Sequence, residues 1–591
     1  MSLYQAPLKD MQLLLQHALE RTGVRDLPAF ADFDDELIGA VLDEAGKFAN
    51  GELAPLNSIG DTQGCRFEDG KVITPDGWKE AYQQFTESGW TGLALPEEFG
   101  GQSLPKFIAQ PVNEMWLSAN LGFIMFHALT QGCSEILLHF GSEEQKARYL
   151  EPMISGQWAV AMALTEPNAG SDLGSLTTKA IPQGDGRYLI KGQKIFITYG
   201  DHDLTENIIH FVLARTPDAP AGSRGISLFA VPKYRIEADG SVGESNDVAC
   251  TGIEHKTGLH GSPTCSISYG DNDACYGELI GEENRGLMAM FILMNEARLS
   301  CGMQGVGFGE VGFQRALEYS QERTQGSDYR TGERTLIANH PDVVRMLLSI
   351  RSEVMGLRSL GYLIAAMIDK SEQCDAEESQ ALKARIALLT PVFKGCATER
   401  GNLMAGTTIQ IFGGMGFVEE TGVAQLMRDA RANTIYEGTT GIQARDLVFR
   451  KVQLDKGAAL TALLEDIDAV AARLAESESL ATLAEQLSSA SALMRAAIGQ
   501  IIDKDNADLL QLNAGGVPFM DALGTLCCAW QLADIALTAE AKIAQGDDSD
   551  YHTNLVALTE FYFSYSVPNI EAGLKTFNQA HQGVGRYRFD L

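Results

Sequence analysis

Tyr188-Leu189-Ile190-Lys191-Gly192-Gln193-Lys194-Ile195-Phe196-Ile197-Thr198 is the stretch whose texture decides the fold. Two short runs rich in β-formers, 188–190 and 195–197, flank Lys191-Gly192-Gln193, a polar break of the turn type. Residues 208–213 and 226–231 repeat the texture, with Gly and Pro between them. Short apolar runs at this spacing predict antiparallel strands over about 159–276. On both sides the pattern is helical. Upstream, Ser142 can cap a helix while Gln145, three residues on, reaches back to it. Residues 114–138, apolar and rich in small side chains, predict a helix buried between others. Downstream, helical periodicity returns near Gly286 and persists to about 452. Beyond that point Leu460, Leu463, Leu464, Ile467, Val470 and Leu474 share one helical face, and 545–550 reads as a polar connection. The fold class is therefore mainly α with an inserted β domain. The expected domains are 1–158 (helical), 159–276 (a β barrel or sandwich), 277–452 (a helical bundle) and 453–591 (further helices).

Composition narrows the function. The 591 residues are 45% hydrophobic and 21% charged, as in an ordinary globular protein too long for one core. A formal net charge of −32 repels nucleic acid and anionic membrane surfaces at long range. Any anionic ligand must then be met by local donors: backbone amides, helix N-termini and a few placed Arg or Ser side chains. Residues 1–15 carry charges at Lys9 and Asp10 and show no signal-peptide pattern. No uncharged apolar run of transmembrane length was found, so no membrane insertion is expected. The ten cysteines lack CxxC pairs and metal-type spacing, so no metal is expected, and a reducing, cytoplasmic compartment is the expected location. The neighbours Cys527 and Cys528 read as helix-core residues.

Four segments can carry chemistry. Leu164-Thr165-Glu166-Pro167-Asn168-Ala169-Gly170-Ser171-Asp172 offers hydroxyls and open backbone amides in a loop, suited to a flavin ring or a phosphate, or else to an ordinary turn. In Lys194-Ile195-Phe196-Ile197-Thr198 the alternation of a strand puts Phe196 and Thr198 on one face, toward a planar ring or simply in a half-buried sheet. Ile409-Gln410-Ile411-Phe412-Gly413-Gly414-Met415-Gly416 has glycines that allow close backbone approach. It suits a pyrophosphate, or equally a helix stop, and lacks the strand–turn–helix context of a dinucleotide fold. Finally, Ile435-Tyr436-Glu437-Gly438-Thr439-Thr440-Gly441-Ile442-Gln443 sets a Glu among uncharged residues. A carboxylate in a water-poor place is suited to take a proton near neutral pH; alternatively it is a helix-start Glu favoured by the dipole.

In this order and at these separations the four segments resemble the acyl-CoA dehydrogenase family over about residues 35–452. Leu95-Pro96-Glu97-Glu98-Phe99-Gly100-Gly101 adds to the match, and the C-terminal extension resembles that of larger bacterial members. The resemblance implies an N-terminal helical domain, a central β domain and a C-terminal four-helix bundle, with an extra helical domain. It implies FAD between β domain and bundle, completed by a second subunit of a homodimer. Met162, Leu164, Thr165 and Ser171 are then expected at the cofactor, with Phe196 and Thr198 flanking the ring. Arg323, Gln410, Gly413 and Gly414 are expected at the pyrophosphate, and Thr439 and Gly441 near the adenosine half. Gly441 stands where the family commonly has Gln. Ser171, Asn295, Arg298 and Gly438 are expected at the substrate, Asn295 replacing a commoner Asp. Residues 326–337 form a longer stretch than usual before His340. A minority of members place the base immediately before this Arg; Ala297 occupies that position here, so Glu437 is the expected catalytic base and Glu296 is expected to face outward.

The implied reaction is α,β-dehydrogenation of a fatty acyl-CoA to a trans-2-enoyl-CoA, in β-oxidation, with medium- to long-chain substrates favoured. The thioester carbonyl acidifies the α-carbon. In the family the Glu backbone N–H and a ribityl hydroxyl stabilise the enolate oxygen, by oxyanion-hole logic. Electron-transferring flavoprotein is the implied acceptor. Three alternatives stay open: an acyl-CoA oxidase using O₂, a dehydrogenase of a methylthio-propionyl thioester, and an idle flavoprotein scaffold.

Overall fold

A computed structural model describes residues 4–503, 508–547 and 549–589. Residues 1–3, in the N-terminal reading above, and Asp548, in the expected polar connection, lie outside these. Two compact units result, one of 44–105 and 115–300, the other of 4–43, 106–114 and 301–589 within the described residues.

The first unit holds the β insert. Its main sheet runs in the order Val248–Ile253, Thr264–Tyr269, Arg187–Thr198, Tyr276–Ile280, Ser227–Pro232, Asn207–Ala214, Trp158–Ala163, with Lys179–Pro182 also paired to Arg187–Thr198. The sequence pointed to antiparallel pairing throughout. The edge pair Trp158–Ala163 and Asn207–Ala214 is parallel instead, because the chain crosses over between them rather than turning back at once. Gly192 also departs from its expected role. It interrupts nothing: Arg187–Thr198 is one strand, and Gly192 pairs with Tyr269. A Cβ there would lie 2.9 Å from the Thr178 Cβ, so the glycine serves close approach rather than a turn.

The upstream helix is formed where expected, with one difference. Lys106–Phe140 departs from helical geometry at Asn120 (φ −158, ψ 86), whose Oδ1 accepts from the Phe123 amide at 3.0 Å and caps the second half. A short amide side chain competing with the backbone ladder is the cause. The capping box at Ser142 is complete: its hydroxyl accepts from the Gln145 amide at 3.2 Å, and the Gln145 Oε1 accepts from the Ser142 amide at 3.1 Å.

The second unit is helical. Pro341–Gln373 packs along Ala376–Phe412, and the shorter runs Val423–Ala430, Thr440–Arg445 and Asp446–Val452 pack on the latter. The longer stretch before His340 is a small hairpin, Thr324–Ser327 with Arg334–Leu336. The face of Leu460, Leu463, Leu464, Ile467, Val470 and Leu474 is buried in the helix Ala458–Ala475. The central helix of the extension, Leu509–Ala544, packs on Pro341–Gln373 and Ala376–Phe412, with Cys527 and Cys528 in its core. Polar ties join the same parts. Arg400 reaches Glu353 and the Thr525 hydroxyl, each at 2.7 Å. The Asp10 carboxylate accepts from Arg351 and, at 2.8 Å, from the Tyr551 hydroxyl of the extension.

Two helices, Lys106–Phe140 and Leu509–Ala544, are long and apolar enough to cross a membrane, contrary to the sequence reading. Their most apolar windows are 72% and 89% buried in protein, which makes them core helices.

Candidate active site

In the β-bearing unit the first two motifs converge. The loop after strand Trp158–Ala163 lies against strand Arg187–Thr198: the Ile195 amide donates to the Thr165 carbonyl at 2.9 Å. Beneath them sits a pair that the sequence reading missed. Lys194, fully buried, donates to Glu166 Oε1 and to the Leu164 carbonyl, each at 2.9 Å. Glu166 also accepts from the amides and hydroxyls of both Thr177 and Thr178, at 2.6 to 3.0 Å. Burial by itself would raise the Glu166 carboxyl; the Lys194 ammonium and the donors of Thr178 and Thr177 outweigh it and hold it at about 2. Burial lowers the Lys194 ammonium, Glu166 offsets part of that, and the group rests at about 8. No local signal marks Lys194, which follows the polar Lys191-Gly192-Gln193 in the same strand.

Strand alternation breaks between this pair and Phe196. Cys265 opposes Ile197 and Ile267 opposes Lys194, so two residues, Ile195 and Phe196, face the single Ser266: a β-bulge. Phe196 takes φ +59 and is 58% exposed, while Thr198 is half-buried two residues on. The aromatic is thus displayed by a bulge, not by simple alternation. Leu164 is buried, Met162 and Thr165 are half-buried, and Ser171 is exposed. In the helix Gly286–Glu322, Asn295 is exposed, Arg298 buried and Glu296 half-buried rather than fully outward.

In the helical unit two helix ends meet. Tyr319 stacks on Phe412, ring centroids 4.3 Å apart and 12° from parallel. Arg323 lies one turn past Tyr319, and Gly413 directly follows Phe412. Arg323, Gln410, Gly413 and Gly414 are all exposed. Gly413, at φ +60, ends the helix Ala376–Phe412, and a Cβ on either glycine would meet nothing within 4 Å. The helix stop and the open backbone cradle are therefore one feature.

Glu437 is not a helix-start residue. It precedes the N-cap Thr439, whose hydroxyl accepts from the Ile442 amide at 3.4 Å. It is half-buried and takes φ +53, with Gly438 next at φ +90. A non-glycine residue there is strained by about 1–3 kcal/mol and persists only where its surroundings enforce it. Here they do. The Gln443 amide donates to the carbonyls of Glu437 and Gly438, at 3.0 and 3.1 Å. Lys394, fully buried, donates to the carbonyls of Asn433 and Gly438, each at 2.8 Å. The Tyr436 hydroxyl donates to Gln304 and, at 2.8 Å, to Asn433 Oδ1. Burial pushes that phenol well above its usual range, so it stays neutral. Lys394 and Gln443 were missed in the sequence, although Lys394 stands out as a lone charge among Val392, Phe393, Cys396 and Ala397. Gly441 is exposed beside this turn.

With this geometry in view, the comparisons with known proteins are specific. The chain matches the acyl-CoA dehydrogenase N-terminal domain over residues 38–157, the middle domain over 161–271 and the C-terminal domain over 284–452. Residues 463–584 match an acetyl-CoA dehydrogenase C-terminal-like domain. It is 42% identical over 562 residues to 3-methylmercaptopropionyl-CoA dehydrogenase of Ruegeria pomeroyi, covering 95% of each chain. It is 35% identical over 600 residues to a butyryl-CoA dehydrogenase of Syntrophomonas wolfei, covering 98% of this chain and 97% of that one. An acyl-CoA dehydrogenase from Bacillus anthracis, solved with FAD, shares the fold with a TM-score of 0.75 at 23% identity, over 96% of this chain and 91% of that one. The chain belongs to the acyl-CoA dehydrogenase family, the FAD-dependent oxidoreductases that act on CH–CH bonds.

Proposed function

We propose that this protein oxidises an unbranched acyl-CoA across its α- and β-carbons to the trans-2-enoyl-CoA, with Glu437 as the base. The observation that carries the reading is the Glu437 turn: a carboxylate held at φ +53, half-buried, on backbone pinned by Lys394 and Gln443. Strain kept in place by dedicated donors is characteristic of functional positions.

The residues present fit FAD. Phe196, displayed on a bulge, and the hydroxyls of Thr165 and Thr198 suit a planar ring with a polar edge, with Met162 and Leu164 supporting that loop. The open backbone of Gly413 and Gly414, the Gln410 amide and the exposed Arg323 guanidinium suit a pyrophosphate, reached across a homodimer. Thr439 and Gly441 would serve the adenosine half. The chemistry the flavin supplies when bound is acceptance of hydride from the β-carbon.

The chain's own part is positional and protic. Glu437 takes the α-proton once the thioester carbonyl has acidified it. Its backbone N–H serves as a donor to the carbonyl oxygen as negative charge develops there. Ser171, Asn295, Arg298 and Gly438 hold the CoA thioester so that the α-carbon meets the carboxylate. The proposed electron acceptor is an electron-transferring flavoprotein, the proposed location cytoplasmic, and the proposed domains are those read from the sequence.

The names of the two relatives favour a short acyl chain, of the butyryl or 3-methylmercaptopropionyl kind. Medium- to long-chain fatty acyl-CoA is the reading the sequence favoured. Anaerobic titration of the FAD-loaded protein with acyl-CoAs from C4 to C18, and with 3-methylmercaptopropionyl-CoA, separates them. The short thioesters should bleach the flavin fastest; fastest bleaching at C12 or beyond would restore the long-chain reading. Peroxide formed without added acceptor would mark an oxidase.

A further inference from the structure

We propose that Lys394 and Gln443 are positioning residues for the base, which together hold the Glu437 turn in its left-handed conformation; this rests on Glu437 being the base. Lys394 lies on the helix Ala376–Phe412, beneath the turn. Its ammonium bonds the carbonyl of Asn433, where the segment leaves its preceding helical turn, and that of Gly438, one residue past Glu437. One buried cation thus staples both ends of a six-residue segment. Gln443 adds a second grip, donating to the carbonyls of Glu437 and Gly438. With those two carbonyls directed to fixed donors, the planes of the two peptides that follow the Glu437 Cα are set. Together with the Asn433 bond at the start of the segment, they limit how far Glu437 can move from its positive φ.

Burying an ammonium without need is unfavourable, and a neutral side chain of the same length would fill the space. The cation does what such a side chain could not, since a methionine has no donor for either carbonyl. The C-terminal extension backs the same grip. Met520, on the helix Leu509–Ala544, packs where a Cβ at Gly395 would stand, and that Cβ would be 3.5 Å from the Gln443 Cβ. The Cys396 thiol donates to the Met520 carbonyl at 3.3 Å. The extension therefore packs against Gly395 and Cys396, the residues that follow Lys394 on its helix.

The test uses FAD-loaded Lys394→Met, which keeps the stem and removes the donor, with Glu437→Gln as reference. Turnover of butyryl-CoA and its α-deuterated form is measured with a dye acceptor. A displaced base predicts kcat down roughly 10²-fold at little change in KM. It also predicts a larger α-deuterium isotope effect than the parent shows, because proton removal becomes more rate-limiting. A purely structural role would lower yield and stability without raising that isotope effect. Parental kcat and isotope effect in Lys394→Met, with Glu437→Gln inactive, would overturn the positioning role and leave the base intact. Near-normal Glu437→Gln would remove the base itself. Should Lys394→Met not fold, Gln443→Leu carries the test: a reduced kcat with a raised isotope effect supports the proposal, and parental values overturn it.

Discussion

Two buried lysines hold the two chemically marked backbones of this protein, and they do so by different physics. Lys194 supports the 164–172 loop and the Phe196 bulge by pairing with a carboxylate, Glu166, itself saturated by four threonine donors. Lys394 supports the Glu437 turn through two neutral carbonyls. The first arrangement neutralises a charge and fixes a loop by electrostatics that pH can switch off. The second acts through geometry, directing two backbone carbonyls by hydrogen bonds. Both end on a non-glycine residue at positive φ, Phe196 at +59 and Glu437 at +53. A ring platform, the role proposed for Phe196, needs only a stable place. A base, the role proposed for Glu437, must sit at a defined point relative to a C–H bond, where a displacement of about 1 Å is felt in rate.

The largest effect is expected at Glu437 itself: Glu437→Gln should remain yellow and folded and lose roughly 10²–10⁴-fold in turnover, the usual weight of a general base. Steady-state assay beside a thermal melt reads both. Next comes the ion pair. Lys194→Met leaves Glu166 buried without its cation and should destabilise its unit by about 3–5 kcal/mol, read as a lowered urea midpoint. The matching Lys394→Met removes the donor to the Asn433 and Gly438 carbonyls and should cost more kcat than Lys194→Met and less stability. The opposite ranking would erase the distinction between the two lysines.

Acid sharpens the contrast further. Glu166 is held at about 2, below its usual 4.5, so its ionised form contributes stability above pH 4.5. That contribution is lost as pH falls from about 4.5 through 2, by linkage. Glu166→Gln lacks it from the start. The stability gap between parent and Glu166→Gln, measured by urea unfolding, should therefore narrow below pH 4.5. A gap constant from pH 6 to pH 3 would contradict the assignment. The smallest net effect is at the bulge: Phe196→Gly relieves left-handed strain of about 1–3 kcal/mol against a larger entropy loss of about 0.5–1 kcal/mol, while removing the exposed ring. The melting temperature should hold or rise slightly while bound flavin per chain falls.

Much of this was legible before the structure. The capping box at Ser142, the buried face of Ala458–Ala475 and the β insert follow from local patterns, and local patterns are what sequence carries. Glu437 is marked in the sequence as a carboxylate among uncharged neighbours beside a glycine, but its reading as the base comes from the family resemblance and not from those neighbours. What escaped was set by tertiary contact. Gly192 looked like a turn and is a point of close approach to Thr178. Asn120 looked like part of an unbroken helix and caps a new one. The bulge at Phe196 depends on register with Ser266, about 70 residues away, beyond any local pattern. Lys394 stands as a lone charge among apolar residues, whereas Lys194 follows the polar Lys191-Gly192-Gln193, and the partners of neither can be named without the fold.

The most direct test is anaerobic mixing of butyryl-CoA with the FAD-loaded parent and with Glu437→Gln, following flavin absorbance near ~450 nm. The parent should bleach within the mixing experiment and Glu437→Gln should stay yellow. Equal bleaching in both would show that the α-proton leaves without Glu437 and would contradict the account at its centre.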